Sequence, residues 1–243
     1  MKGAPERSTF ELAPERVLGG KYRVVERLGG GWEGEVYRVE EVRTGIEHAV
    51  KLFFPHRDPE RLALVAYARK LDRLRDCRIV IRYRTEEQIR LRGEQVRMLV
   101  AELVHGVILE ELIRSLPGRR MPPYMALHLL HALASGMEEI HALGEYHGDL
   151  HSENVVVVRA GLRFELRLLD MYYWGAPTRA NIHHDTVEMV RLFHDALGGR
   201  RHYARQPDPV KRICRGMRPS LILERFEDAG ALRRYLEKLS WFD

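Results

Sequence analysis

Cysteine is scarce in this chain of 243 residues: Cys77 and Cys214 are the only two. They lie far apart and show no metal-ligand spacing, which excludes a disulfide framework and a cysteine metal site. Both read as ordinary small residues of a reducing compartment. Long hydrophobic runs are also missing. No stretch approaches the roughly 18 apolar residues of a membrane span, and Met1 to Arg16 is polar, interrupted by Pro5 and Pro14. A signal peptide would need an apolar centre there. The expectation is a soluble, cytoplasmic protein with no membrane partner. Internal repeats and low-complexity blocks are absent as well. Acidic excess is lacking, since the formal net charge is +5. Arginine is spread along the chain rather than gathered in a tail, which reads as a solvated basic surface. Binding of an acidic partner protein or a phosphate-bearing ligand is the alternative, and a nucleic-acid partner is not expected.

With 45% hydrophobic residues the chain can bury a substantial core, as one large domain or two lobes. The stretch that organises it is Tyr146-His147-Gly148-Asp149-Leu150-His151-Ser152-Glu153-Asn154, followed by the apolar run Val155 to Val158. An acid and an amide five positions apart sit on a short loop, and the β-branched run behind them predicts a buried strand. A strand of that kind can hold both polar side chains at a fixed separation. Carboxylate and amide oxygens are also ligands that a hard cation accepts.

Upstream, residues 1–18 read as a loose leader. From Lys21 a β pattern begins, with Tyr22, Val24 and Val25 before Leu28-Gly29-Gly30-Gly31-Trp32-Glu33-Gly34-Glu35-Val36-Tyr37. Two strands around a glycine-rich turn predict a hairpin. Without Cβ atoms at Gly29, Gly31 and Gly34, backbone N–H groups of such a turn can close over phosphates. A third strand spans about Ile46 to Phe54 and carries Lys51 among apolar neighbours, where burial is costly without an anion. A helix opens at Asp58 or Pro59 and runs to about Arg75. Strands follow near Ile79–Arg84, Glu87–Arg92 and Val96–Leu103. Beyond them the pattern turns helical: Val107–Leu116, then a long helix from Pro122-Pro123 to Gly144 with Met125, Leu129, Leu133, Met137 and Ile140 as a core stripe. His128, His131 and His141 read as packing or surface residues. Asp170 ends the apolar strand Leu166 to Leu169. Asp185 with Glu188 has the spacing of a capping box opening another helix, which Gly198-Gly199 ends. Residues 200–219 are basic and proline-broken, and an amphipathic helix with Leu232, Tyr235, Leu236 and Leu239 closes the chain. His183-His184 next to Asp185 is discounted as a metal site because adjacent side chains diverge.

These segments resemble the protein-kinase-like superfamily over roughly residues 20–197. The glycine turn fits Gly-x-Gly-x-x-Gly-x-Val, Ala49-Val50-Lys51 fits the strand lysine, Asp149 and Asn154 fit the catalytic loop, and Asp170 fits the metal-binding aspartate. The resemblance implies an α+β, bilobal protein-kinase-like fold: a small antiparallel five-stranded sheet with one helix as N-lobe over residues 21–103, and a mainly helical, shortened C-lobe over residues 104–243. It implies a Mg-ATP-dependent kinase that binds ATP at the hinge. Lys51 with the Gly29–Gly34 turn would hold the phosphates, and Val36 and Ala49 would roof the adenine, with Val156 in the same nucleotide-binding set. Backbone groups of Glu102 and Val104 would read the adenine edge beside Ala101. Asp149 would accept or orient the attacking hydroxyl, Asn154 and Asp170 would hold Mg²⁺, and His151 would contact the phosphoryl group or substrate. Asp185 would brace the catalytic-loop backbone. Each residue also has a plainer reading: Asp149 and Asn154 as turn formers, Asp170 as a strand-end cap.

Departures from the family pattern separate three functions. The glutamate expected to pair with Lys51 falls near Tyr67, and the helix offers only Glu60, one or two turns early. Met171-Tyr172 replaces Phe-Gly after Asp170, which restricts positive φ at Tyr172. Gly148 stands where regulated kinases carry arginine, so no cation there can clamp a phosphorylated segment, and activity without such phosphorylation is expected. Only fourteen residues separate Asp170 from Asp185, with no Ala-Pro-Glu. The first reading is a Ser/Thr protein kinase, because the first three strands resemble those enzymes. His151 and the short segment suit small-molecule kinases of the aminoglycoside and choline type, whose acceptor is a metabolite hydroxyl. A pseudokinase that binds nucleotide or a partner without turnover is the third.

Overall fold

The computed structural model describes residues 9–57, 62–160 and 163–240. The chain divides into two compact units, one of Met1–Arg73 with Ile81–Val104, the other of Leu74–Val80 with His105–Asp243. The first unit ends at Val104, and the boundary expected from sequence lay after residue 103. The short stretch 74–80, however, belongs to the second unit although both its flanks belong to the first.

In the first unit an antiparallel sheet forms from β1 (Val17–Leu18), β2 (Tyr22–Gly30), β3 (Gly34–Glu41), β4 (Glu47–Phe53), β5 (Tyr83–Leu91) and β6 (Glu94–Glu102), in the order β1-β2-β3-β4-β6-β5. Alternation explains it: Tyr22 and Val24, Tyr37 and Val39, Val50 and Leu52, and Met98 and Val100 all turn into one core. The turn between β5 and β6 places Arg92 and Gly93 at positive φ, as a two-residue hairpin requires. One continuous hairpin thus replaces the three strands expected between Ile79 and Leu103. The sheet also gains β1, so it has six strands rather than five. The leader needs correction as well. Leu12 is buried, Glu35 accepts the Phe10 and Glu11 N–H groups at 3.1 and 3.3 Å, and Tyr37 Oη accepts that of Leu12 at 3.2 Å. Residues 9–18 are therefore part of the fold. The unit's helix, α1, spans Leu62–Arg73, while its expected start at Asp58 or Pro59 lies outside the described residues.

In the second unit a three-stranded sheet, β7 (Val107–Ile108), β8 (Val155–Arg159) and β9 (Glu165–Leu168), accompanies α2 (Leu109–Ser115), α3 (Pro123–Ala142), α4 (Arg179–Ala196), α5 (Gly199–Tyr203), α6 (Asp208–Cys214), α7 (Pro219–Arg225) and α8 (Ala229–Glu237). Val107 and Ile108 pair with β8, so α2 begins two residues later than expected. In the α3 stripe Leu129, Leu133, Met137 and Ile140 are inaccessible or nearly so, while Met125, near the start of the helix, is only half-buried, and α3 packs on α4 and α8. α4 corrects a second expectation. Its capping box is Thr178 with Asn181, which places Asp185 in the middle of the helix, fully buried, rather than at its start. The segment 74–80 is keyed into this unit. The Leu168 N–H bonds the Ile79 carbonyl at 2.6 Å, and Ile79 fills the notch left at Gly136, where a Cβ would collide with it. Among the described residues no helix is long and apolar enough to cross a membrane.

Candidate active site

The polar loop of the second unit is built around Asp185. α3 ends with Gly144 at φ +70°, a conformation that favours glycine, and the chain turns back through Tyr146 and His147, both buried. Asp185 accepts the backbone N–H of His147 at 2.7 Å and of Gly148 at 2.9 Å, and its Oδ2 lies 3.3 Å from His141 Nε2. Burial alone pushes this carboxyl upward. The His141 hydrogen bond, the His147 ring and the Gly148 N–H outweigh it and hold the carboxyl below the ordinary value. Asp185 therefore braces the loop as an anion.

The His147 ring carries the brace onward. Its Nε2 lies 3.0 Å from the Leu169 carbonyl, and its Nδ1 accepts the Asp149 N–H at 3.2 Å. The Asp149 carboxylate is left 54% exposed, with His151 Nε2 3.6 Å from its Oδ2. Asn154 ends a single 3₁₀ turn and is buried. Its amide nitrogen donates to the Asp149 carbonyl at 2.8 Å and to Asp149 Oδ2 at 3.3 Å, and lies 3.0 Å from His151 Nε2. The three predicted residues of this loop thus form one cluster. Asp170 belongs next to it by backbone: the Leu169 N–H bonds the Asn154 carbonyl at 2.9 Å, and the Tyr172 N–H bonds the His147 carbonyl at 2.8 Å. The positive φ of this turn falls on Asp170, at +49°, and not on Tyr172, so losing the family glycine does not strain Tyr172.

A divalent metal, which the family uses with ATP, fits this donor set. The nitrogen of the Asn154 amide is turned to Asp149, which leaves its oxygen as the acceptor side, and Asp170 adds a carboxylate. One carboxylate and one amide oxygen are what a hard cation accepts when phosphates supply further ligands. Among the described residues no group of three or more His, Cys, Asp or Glu side chains could hold a metal alone.

In the first unit, β2 and β3 flank the glycine turn. Gly34 is obligatory, because a Cβ there would collide with the Leu52 carbonyl, whereas a Cβ on Gly29 or Gly31 would meet open space. Val36 pairs with Lys51 across β3 and β4, Ala49 with Ala101 across β4 and β6, and Glu102 ends β6. The Glu102 N–H is taken by the Arg82 carbonyl at 3.0 Å. Val104 closes this unit, and Val156, on β8 of the second unit, is buried.

Lys51 has a partner that sequence reasoning missed. Its Nζ lies 3.0 Å from the Glu33 carboxylate at the tip of the glycine turn, with the two side chains 13% and 29% exposed. The described part of α1 holds no glutamate. The Tyr67 ring stands at the expected place, 5.7 Å from Lys51 Nζ, and Glu60 lies outside the described residues. The role of His141 was also missed, although its position four residues after the buried Met137 keeps it on that face of α3.

Comparison with solved structures gives the class of fold. A double mutant of the PknI kinase domain of Mycobacterium tuberculosis superimposes with a TM-score of 0.62, covering 93% of this chain and 97% of that one at 19% identity. Another crystal structure of the PknI kinase domain superimposes with a TM-score of 0.59. The fold is that of a kinase. The sequence profile described as protein kinase domain matches residues 22–189, and the chain belongs to that family. Among curated relatives, the serine/threonine-protein kinase pkn2 of Myxococcus xanthus is 36% identical over 165 residues, covering 65% of this chain and 19% of that protein. A probable serine/threonine-protein kinase of Streptomyces coelicolor is 32% identical over 149 residues, covering 60% and 22%. The chain thus spans about a fifth of the length of these two relatives.

Proposed function

We propose that this chain transfers the γ-phosphate of Mg-ATP to a serine or threonine hydroxyl of a protein acceptor. The observation that carries this reading is the Asp149–His151–Asn154 cluster, held on a backbone that Asp185 braces. Family membership and the kinase relatives support it.

Phosphoryl transfer spreads negative charge over the transferring oxygens, so catalysis is positioning plus counter-charge. Asp149 accepts the hydroxyl proton or orients the hydroxyl, and its exposure leaves it open to an acceptor. His151, beside it, donates to a phosphoryl or acceptor oxygen. Lys51 holds the α- and β-phosphates under the N–H groups of the Gly29–Gly34 turn. Val36, Ala49 and Val156 contact the adenine. Its edge is read by the carbonyl of Glu102, whose N–H is already engaged, and by the backbone of Val104. Asn154 and Asp170 hold Mg²⁺. A bound ion would supply counter-charge to the phosphate oxygens.

A second reading, transfer to a small-molecule hydroxyl, draws on the fourteen residues between Asp170 and Asp185. Radiolabelled ATP decides, offered with wild type and Asp149→Asn to the chain itself, generic proteins and a panel of hydroxyl metabolites. Label on protein that vanishes in the variant upholds the first reading; label confined to a metabolite replaces it with the second. Nucleotide binding without transfer leaves a binding module.

Two further assignments belong to this proposal. Cys77 and Cys214, both buried with free thiols, suit a cytoplasmic location. The stretch 200–218, with seven Arg or Lys residues against the single acid Asp208, suits an acidic partner protein. The Arg120 guanidinium meets the His202 ring there, and burial together with Arg120, Arg201 and Arg205 holds that ring below its ordinary value.

A further inference from the structure

Trp174 lies four residues past Asp170 and is 65% exposed, so its burial contributes little to the core. Its polar contacts are directional instead. The indole N–H donates to the Gly148 carbonyl at 2.9 Å, and the backbone N–H donates to the Tyr146 hydroxyl at 2.6 Å. That hydroxyl in turn donates to the Gly175 carbonyl at 2.9 Å. Tyr146 is fully buried, and the Tyr172 ring lies 4.7 Å from the indole. Gly148 completes the fit. It sits at φ +85°, and a Cβ there would come within 2.9 Å of the Tyr146 ring and 3.0 Å of the indole. The indole takes the space that a side chain at position 148 would need.

We propose that Trp174 is a positioning residue for Asp149: it latches the segment after Asp170 onto the Gly148–Asp149 peptide and keeps that peptide in place with no phosphate on the segment. The proposal rests on the kinase reading above. Residues 171–184 carry three hydroxyls, Tyr172, Tyr173 and Thr178. Thr178 is already used as the cap of α4, its hydroxyl donating to Asn181 Oδ1 at 2.6 Å. The Gly148–Asp149 peptide is gripped on both sides, its carbonyl by the indole N–H and its N–H by His147 Nδ1, which leaves it little freedom to rotate. That peptide sets where the Asp149 carboxylate points.

The test compares wild type, Trp174→Ala and Trp174→Phe, the last keeping a ring while removing the N–H. Three readouts are taken: steady-state transfer, nucleotide affinity by thermal shift with Mg-ATP, and amide hydrogen exchange across residues 146–151. The alanine variant is expected to lose about tenfold or more in kcat, with phenylalanine intermediate, because small misplacement of a reacting group is costly. The KM for ATP stays within about twofold, which separates positioning from loss of binding. Exchange at residues 146–151 is faster in both variants, and phosphatase treatment leaves wild-type turnover unchanged. An alanine variant with full turnover, or a wild type silenced by phosphatase, overturns the proposal. If the alanine variant does not fold, the phenylalanine variant alone decides on the same criteria. Should wild type transfer no phosphate to any acceptor, the kinase reading fails separately. The latch is then judged by exchange, which faster rates uphold and unchanged rates overturn.

Discussion

The catalytic loop and the glycine turn match the same family pattern, yet they are held by opposite means. Around Asp149 the grip is buried and made of backbone: Asp185 takes two N–H groups, and His147 takes a third. Around Lys51 it is a side-chain pair with Glu33, which projects from the tip of a turn and keeps 29% of its side chain in solvent. The contrast follows from what each region must do. In the roles proposed for them, Asp149 would have to stay where it meets a hydroxyl, whereas Lys51 would have to open and close on each nucleotide.

Substitutions at each end can break or sharpen that contrast. The largest effect is expected from Asp185→Asn, which leaves N–H groups and His141 around a weaker acceptor. A loss of about 3 kcal/mol is expected from disrupting a buried charged network, read as a lower urea midpoint at pH 7. The pH dependence has a definite sign. Because the folded-state carboxyl is depressed, its stabilisation is fully present above the ordinary value of 3.8 and fades as the pH falls through the lower folded value. The gap between wild type and variant should therefore narrow as the pH drops below 3.8. A gap that widened instead would mean that Asp185 is not held as an anion. Next comes Gly148→Ala, which forces a Cβ against Tyr146 and Trp174 at positive φ. About 2 kcal/mol is expected from strain of this kind, with turnover reduced and nucleotide affinity intact.

Effects at the other end should be small and of another kind. With Lys51 in its proposed phosphate-binding role, Glu33→Gln would remove a competing anion, so Mg-ATP affinity should rise about two- to fivefold, the range of a part-exposed ion pair. Calorimetric titration would show it, and weaker binding would make Glu33 a necessary prop for Lys51 rather than a competitor. Smallest is Trp32→Ala. The Arg57 guanidinium lies 4.5 Å from that ring at an exposed site. About 0.5 kcal/mol is expected, visible only as a slight fall in Tm.

What could be read from sequence was local. The glycine hairpin, the strand around Lys51, the Asp149–Asn154 spacing and the strand ending at Asp170 all depend on neighbours within a few positions, where periodicity and turn chemistry speak directly. What could not be read depends on tertiary approach. Glu33 reaches Lys51 across 18 positions because the turn curls, and His141 meets Asp185 across 44 because α3 and α4 pack together. Asp185 with Glu188 had the spacing of a helix start, but Thr178 with Asn181 caps the helix two turns earlier, and burial decides which signal counts. The missing glycine at Tyr172 reads as a restriction on positive φ there, while the turn, pinned at Leu169 and Tyr172, places its positive φ on Asp170.

The stretch 74–80 bears on how this protein can be taken apart. A break after Val104 looks natural from the order of strands and helices, yet it would strip the downstream fragment of Ile79. The hollow beside Gly136 and the exposed edge at Leu168 would then face water. The upstream fragment would carry the orphaned apolar residues Leu74, Cys77, Ile79 and Val80. Neither half is a self-sufficient cassette, and dissection or shuffling would have to carry that borrowed heptapeptide along.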